Sequence, residues 1–157
     1  MRVGWGFDAH RFGGPGRTLL AGLEVDDARG VEATSDGDVL AHAVADALLG
    51  GAALGDLGVL FPSVDPRWRG ADSMVLLAEV TARVAAAGYR VSSLDATVVA
   101  ERVRVAPHRE AIRARLAGVL GVEIEAVSVK ATSTDGLGFL GRDEGLAAVV
   151  VAVLVER

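Results

Sequence analysis

Hydrophobic and polar positions along the chain predict a series of strands and helices. Residues 2–12 mix β-branched, aromatic and glycine residues, which is typical of a strand. Two stretches rich in Ala and Leu, 38–54 and 71–87, have the composition and spacing of helices, and Gly88 ends the second. The continuous apolar run 146–155 predicts a central strand that is covered on both faces.

Shorter segments complete the pattern. The remaining predicted strands are 18–21, 23–25, 89–100 and 127–134; the third long helix is 107–120, segment 57–62 is irregular, and 62–70 is a loop. The order β-β-β-α-α-β-α-β-β predicts an α+β fold, with residues 1–157 forming a single domain in which helices pack on one face of a mixed β-sheet. The other face of the sheet carries enough apolar residues to favour an oligomer that buries it.

Composition and charge narrow the function. The chain has 157 residues, a net charge of −5 and no cysteine, so disulfides, cysteine-ligated zinc and a cysteine nucleophile are excluded. The acidic balance argues against a nucleic-acid partner. The N-terminus lacks the apolar segment of a signal peptide, and the run 146–155 is too short to span a bilayer, so we expect a cytoplasmic protein without a membrane partner.

Two histidines lie where they could bind a metal. Asp8 and His10 are two apart on a predicted strand and therefore project from the same face. Asp38, His42 and Asp46 are four apart and share one face of the first long helix. Asp8, His10 and His42 with one open position would match a catalytic zinc site, although other divalent ions also accept such ligands. The alternative is that these are polar residues satisfied within the fold.

A second candidate is the segment 130–136, which we call the phosphate segment. Its sequence, Lys-Ala-Thr-Ser-Thr-Asp-Gly, takes a strand into a cluster of hydroxyls that could donate to phosphate oxygens, and Asp135 could hold a second metal. The alternative is an edge strand with ordinary Thr and Ser propensity. The glycines of 136–141 fit G-x-G-x-x-G, but an apolar strand rather than a helix follows them, so we reject a dinucleotide site.

Several motifs together resemble one family. They are Gly-Phe-Asp-Ala-His at 6–10, the Ser-Asp-Gly-Asp-Val segment with His42 and Asp-Ala-Leu-Leu at 35–49, Ala-Leu-Gly-Asp-Leu-Gly at 53–58 with Phe61-Pro62, and the C-terminal blocks 130–138 and 141–145. In this order, over essentially the whole chain, they are similar to the 2-C-methyl-D-erythritol 2,4-cyclodiphosphate synthase family of the non-mevalonate isoprenoid pathway.

The resemblance implies a phosphorus–oxygen lyase. Its substrate would be 4-diphosphocytidyl-2-C-methyl-D-erythritol 2-phosphate, whose 2-phosphate attacks the β-phosphorus to give the cyclic diphosphate and CMP. Such a reaction needs no side-chain nucleophile, because the attacking group belongs to the substrate. The family is a homotrimer whose sites are shared between two subunits.

The resemblance also implies a role for each site residue. Asp8, His10 and His42 would bind Zn²⁺, Asp135 would bind Mg²⁺ or Mn²⁺ between substrate phosphates, and Thr34 and Ser133 would steady the transition state. The loop 100–106 (here called the nucleotide loop) would hold the cytosine together with Ala131 and Thr132, and Phe7, Phe139 and Arg142 would lie near the threefold axis. The residues expected to bind substrate are Ser35, Asp56, Leu57, Gly58, Phe61, Pro62, Ser63, Asp65, Ala100, Arg104, Val105, Ala106, Ala131, Thr132, Thr134, Phe139 and Arg142.

This chain departs from the family pattern at several positions. Thr34 stands where the family usually has His, and a hydroxyl is shorter and never cationic. Ser63 replaces Asp, Asp135 replaces Glu, and Val103-Arg104 replaces Pro-Lys. Thr34 and Ser63 leave open a catalytically weak member that binds a nucleotide or isoprenoid ligand as a trimer. A metal-dependent phosphohydrolase is a further alternative, distinguished by linear products.

Overall fold

The computed structural model describes residues 1–26 and 28–157, and within them the chain forms seven strands and five helices. The strands are β1 (Arg2–Gly14), β2 (Thr18–Leu20), β3 (Leu23–Asp26), β4 (Gly30–Val31), β5 (Tyr89–Val99), β6 (Val127–Thr132) and β7 (Gly145–Glu156). The helices are α1 (Val39–Ala52), α2 (Leu57–Leu60), α3 (Ser73–Ala86), α4 (Arg109–Leu120) and α5 (Gly138–Gly141), and short 3₁₀ turns lie at Pro66–Trp68, Ala106–His108 and Ile124–Ala126.

The main sheet is mixed and has the order β4-β1-β7-β5-β6. Only β5 and β6 run parallel; β7 lies between β1 and β5 and is antiparallel to both. The apolar strand predicted near the C-terminus is therefore central, as its continuous hydrophobic sequence indicated. The predicted α+β class is confirmed.

Two glycines let α1 pack unusually close to β1. A Cβ built on Gly4 would lie 1.7 Å from the carbonyl oxygen of Ala47, and one on Gly6 would lie 2.0 Å from that of Ala43. No side chain fits in either gap, so these positions require glycine. Because Gly4 and Gly6 lie on the same face of β1 as Asp8 and His10, the close packing also brings α1 over those two side chains.

The helices cover one face of the sheet. Leu48 of α1, Leu77 of α3 and Ile112 of α4 are fully buried in a single core with Leu146 and other β7 residues. The opposite face leaves large apolar side chains exposed. These are Val3, Trp5, Phe7 and Val151, with Trp5 at 63% exposure, and we call them the apolar stripe.

Some local predictions were wrong. Segment 57–62, predicted as irregular, contains the one-turn helix α2, and β6 ends at Thr132 rather than at 134. β2 and β3 pair only with each other, outside the main sheet, and the two-residue strand β4 was not predicted. The short helix α5 within the glycines 136–141 was not predicted either, while the strand expected after them is present as β7.

Among the helices of residues 1–26 and 28–157, none is both long and apolar enough to cross a bilayer.

Candidate metal centre

The predicted metal ligands converge at one point between β1 and α1. Asp8 Oδ2 lies 2.9 Å from His10 Nε2 and 3.0 Å from His42 Nδ1, and the two ring nitrogens are 3.2 Å apart. Two strand positions and one helix position thus place three ligand atoms in a small triangle. This confirms the grouping of Asp8, His10 and His42 as residues that could hold a metal ion.

The triangle has the size that a small divalent ion requires. A tetrahedral zinc ion with bonds of 2.0–2.1 Å would set its ligand atoms about 3.3 Å apart. The three separations here are 2.9, 3.0 and 3.2 Å, so a small adjustment of side chains suffices. One carboxylate and two imidazoles are also a common donor set for catalytic zinc, with a fourth position left for another ligand.

Charge at this point favours a cation. Burial raises the pKa of Asp8, but hydrogen bonds with His10 and His42 outweigh it and lower that pKa to about 2. Asp8 is therefore a carboxylate at neutral pH. Burial lowers the pKa of His10, yet the hydrogen bond to Asp8, its charge, and a bond to the Glu32 backbone together raise it. Both pKa shifts result from the Asp8 carboxylate lying within hydrogen-bond distance of half-buried imidazoles.

The other two acidic residues on the His42 face serve the fold. Asp38 is fully buried at the start of α1, where its carboxylate accepts from the Ala41 and Gly22 N–H groups, and burial raises its pKa. Asp46 accepts from the Leu57 N–H at 2.7 Å, and burial raises its pKa also. Sharing a helix face with His42 therefore does not make them ligands; Asp46 instead fixes where α2 begins.

A cavity of about 190 Å³ opens beside the two histidines, and we call it the metal pocket. Of the residues predicted from sequence, Thr34, Ser35, Leu57, Phe61 and Ser63 line it together with His10 and His42. Ala33, Trp68 and Leu76 complete the wall and were not predicted. Trp68 packs edge-to-face against Phe61 at 4.9 Å between ring centroids. Its signal in the sequence was a large aromatic residue in an otherwise polar loop.

Other residues expected at the substrate lie around this pocket without lining it. Asp56 caps α2 by accepting from the Val59 N–H at 2.9 Å, next to the exposed Gly58. The Pro62 carbonyl accepts from the Asp65 N–H at 2.9 Å, which closes the turn after Phe61. Asp65 forms an ion pair with Arg67 at 2.6 Å, so its carboxylate is bonded within the loop.

The phosphate segment is exposed at the end of β6. Ser133 Oγ donates to Asp135 Oδ1 at 3.3 Å and accepts from the Asp135 N–H at 3.2 Å. Thr134 Oγ1 donates to the Leu137 carbonyl at 2.7 Å. Asp135 has φ 52°, a left-handed conformation that Asp tolerates better than most residues. A tight turn thus presents the Asp135 carboxylate and the Ser133 hydroxyl to solvent.

The nucleotide loop has a buried and an exposed part. Val105 is 2% exposed and Ala100 is 9% exposed, so their side chains belong to the core. Backbone groups of these two residues are therefore the ones that could contact a ligand, and a nucleotide site at this loop stays a prediction. Arg104 is exposed and, with Val103, borders a cavity of about 330 Å³ against β3, while Ala106 begins a 3₁₀ turn.

Of the three residues expected near a threefold axis, Phe139 and Arg142 lie just before the start of β7, and Phe7 lies on β1 opposite Val149. Phe139 is exposed and borders a small cavity with His10 and Gly145. Arg142 donates to Glu144 at 2.7 Å.

Within one chain, the metal ligands and the phosphate segment lie apart. In sheet register, Ala9 is opposite Ala147, Ala147 is opposite Val99, and Val99 is opposite Thr132. Three strand spacings separate Ala9 from Thr132, which is about 14 Å. Of the residues that the structure describes, none from 131–135 lines the metal pocket. Within one chain, the metal pocket and the phosphate segment therefore do not meet.

Comparison with known proteins gives consistent results. The model of the YgbB family matches residues 1–155. The 2-C-methyl-D-erythritol 2,4-cyclodiphosphate synthase of Pseudomonas aeruginosa strain UCBPP-PA14 is 52% identical over 157 residues, which is 100% of both chains. The structure of the bifunctional IspDF from Campylobacter jejuni has a TM-score of 0.96 at 38% identity, covering 99% of this chain and 42% of that chain. A CDP-bound structure of 2C-methyl-D-erythritol-2,4-cyclodiphosphate synthase has a TM-score of 0.89 at 34% identity, covering 98% of this chain and 100% of that one.

Proposed function

The chain belongs to the YgbB family, the family of 2-C-methyl-D-erythritol 2,4-cyclodiphosphate synthases, and from this we propose its reaction. It converts 4-diphosphocytidyl-2-C-methyl-D-erythritol 2-phosphate to 2-C-methyl-D-erythritol 2,4-cyclodiphosphate and CMP, as a phosphorus–oxygen lyase of the non-mevalonate pathway. An oxygen of the 2-phosphate forms a bond to the β-phosphorus. The bond from that phosphorus to the oxygen bridging the α-phosphate breaks, and CMP leaves with that oxygen.

One observation carries the proposal: Asp8, His10 and His42 converge within 3.2 Å of one another beside an open pocket. The chain has three histidines in total, and two of them meet the same carboxylate. A ring closure between two phosphates requires charge neutralisation and positioning rather than a side-chain nucleophile. An acidic protein needs cations for that task, and this site can bind one.

The side chains of the proposed site are suited to bind two cations. Asp8, His10 and His42 would hold Zn²⁺, since the donor set and its spacing suit that ion. Asp135 would hold Mg²⁺ or Mn²⁺, which proteins commonly bind through one or two carboxylates plus substrate phosphates. When bound, such ions neutralise phosphate charge and hold reacting groups in line.

The chain's own groups then bind and orient the substrate. Thr34 is exposed on the wall of the metal pocket and can donate its hydroxyl to a phosphate oxygen. Phe61 and Leu57 offer apolar surface to the methylerythritol unit. Ser133 and Thr132 present hydroxyls for phosphate. Exposed Arg104 can bind the nucleotide phosphates, and backbone groups of 100–106 can bind cytosine.

We further propose that the active assembly is a homotrimer with each site shared by two subunits. The separation of about 14 Å between the metal ligands and the phosphate segment supports this. These would be a metal half-site and a phosphate half-site, and a neighbouring subunit could supply the half that one chain lacks. The exposed apolar stripe supports burial of the sheet's open face between subunits. Nucleotide-activated intermediates are made inside cells, so a cytoplasmic location belongs to the same proposal.

Product analysis tests the reaction. The purified protein, incubated with the cytidyl substrate, zinc and magnesium, is expected to release CMP and the cyclic diphosphate in equal amounts, and a chelator should abolish both. Linear products carrying oxygen from labelled water would instead show a phosphohydrolase. Binding of CDP and zinc without CMP release would show a binding protein that has lost turnover.

Replacing Thr34 by His is expected to raise turnover about 10-fold or more. An imidazolium can form a charge-assisted hydrogen bond to phosphate that a hydroxyl cannot, and such a bond contributes roughly 1.5–3 kcal/mol. The backbone should tolerate the change, because Thr34 is exposed and its carbonyl accepts from the Gly70 N–H at 2.7 Å whatever the side chain. Steady-state release of CMP measures the effect.

The matched control is Ala33→His, which adds an imidazole at the neighbouring position of the same pocket wall. It should leave turnover unchanged or lower it. Equal turnover in wild type and Thr34→His would mean that Thr34 does not limit this enzyme.

A further inference from the structure

Ser73 lies on the far side of the His42 ring from the proposed metal. It is the first residue of α3 and is 1% exposed. Its hydroxyl has two side-chain partners: Asp36 Oδ1, and His42 Nε2 at 2.8 Å. Neither Ser73 nor Asp36 was singled out by the sequence motifs as a residue of the site.

The number of protons on the hydroxyl decides the direction of these bonds. A serine hydroxyl has one hydrogen, and the Asp36 carboxylate can only accept it. Ser73 Oγ must therefore accept from His42 Nε2, which then carries the ring proton. The opposite nitrogen, Nδ1, keeps its lone pair and faces Asp8 and His10 at 3.0 and 3.2 Å.

Asp36 is itself held firmly. Its carboxylate accepts from the Ser73 N–H at 3.0 Å and the Asp38 N–H at 3.2 Å, in addition to the Ser73 hydroxyl. These bonds are not needed to cap α3, because Asp72 already accepts from the Met74 N–H at 2.8 Å. The Asp36 carboxylate is thus available to fix the Ser73 hydroxyl.

We propose that Ser73, oriented by Asp36, is a positioning residue that turns the Nδ1 lone pair of His42 toward the metal. Outer partners of this kind set the tautomer and orientation of metal-bound histidines, and their loss commonly weakens metal binding 10–100-fold. Ser73 Oγ bonds to the His42 ring, so its substitution acts on His42 directly rather than on His10.

Zinc affinity tests the inference, which rests on the proposed metal site. Ser73→Ala is expected to raise the zinc dissociation constant about 10–100-fold in competition with a chromophoric chelator. The loss should be partial, since Ser35 Oγ lies 3.1 Å from the same ring nitrogen and can still accept its proton. Asp36→Asn should give a smaller increase, because a neutral amide accepts more weakly than a carboxylate.

Thr81→Ala is the matched control, since it removes a hydroxyl of the same helix that donates to the Leu77 carbonyl instead. Its zinc affinity should equal that of wild type. In the cobalt-loaded protein, Ser73→Ala and Asp36→Asn should alter the visible absorption bands of the metal, while Thr81→Ala should not. Apo-protein circular dichroism should be alike in Asp36→Asn and wild type, which separates positioning from folding.

The outcomes are distinguishable. A wild-type protein that binds no zinc would overturn the metal site and the inference together. Wild-type zinc binding with unchanged affinity and cobalt spectra in both Ser73→Ala and Asp36→Asn would overturn the inference alone. If Ser73→Ala does not fold, Asp36→Asn still decides, because Asp36 is only half-buried.

Discussion

Replacing Asp8 by Asn is expected to lower CMP release by about 10³-fold or more and to abolish tight zinc binding. The amide keeps the size of the side chain but removes the anion that both imidazoles face, at 2.9 and 3.0 Å. Without that charge, a divalent ion would have only neutral protein ligands. Removing a preorganised charge-stabilising group from a phosphoryl-transfer site commonly costs a rate factor of about 10³ or more.

The control is Glu79→Gln, which removes a carboxylate from the solvent-exposed side of α3. Glu79 is exposed and pairs with Arg83 at 2.8 Å, and such surface pairs contribute about 0–1 kcal/mol to stability. This variant should retain zinc binding and most turnover. Zinc content and CMP release, measured for both variants, check the prediction; full activity of a zinc-free Asp8→Asn protein would remove the metal site from the mechanism.

The metal centre could be predicted from sequence because local periodicity determines most of its geometry. Asp8 and His10 share a strand face, so their convergence follows from spacing alone. His42 required one further condition, namely that α1 packs on that face. Gly4 and Gly6 provide the packing, but a glycine in a strand does not itself identify which helix approaches it.

The parts that could not be predicted depend on contacts distant in sequence. Ser73 reaches His42 only because α3 begins beside the 34–38 loop, where the Asp36 N–H donates to the Ala71 carbonyl. Nor does spacing distinguish Asp46 from a ligand: it lies one turn from His42, and its partner is a backbone N–H 11 residues away. The buried side chain of Val105 likewise results from packing that no motif specifies.

Mixed trimers of two inactive variants are expected to recover about one third of wild-type activity. Asp8→Asn would inactivate the metal half-site, and Asp135→Asn would inactivate the phosphate half-site while keeping a residue that tolerates φ 52°. In a ring of three subunits that contains both variants, one of the three shared sites is intact. It combines the metal half of an Asp135→Asn subunit with the phosphate half of an Asp8→Asn subunit. Trimers carrying both variants can be isolated by co-expression with two different tags and purification on each in turn.

Because each proposed site is shared by two subunits, the control is a mixture of variants with both defects in the same half-site. A mixture of Asp8→Asn with His42→Ala places both defects in the same half-site, so no interface of the ring joins two intact halves and the mixed trimer should stay inactive. If each chain instead completed its own site, the Asp8→Asn and Asp135→Asn mixture would be inactive as well. Recovery in that mixture alone therefore requires that the roughly 14 Å between β1 and the end of β6 is bridged by a neighbouring subunit.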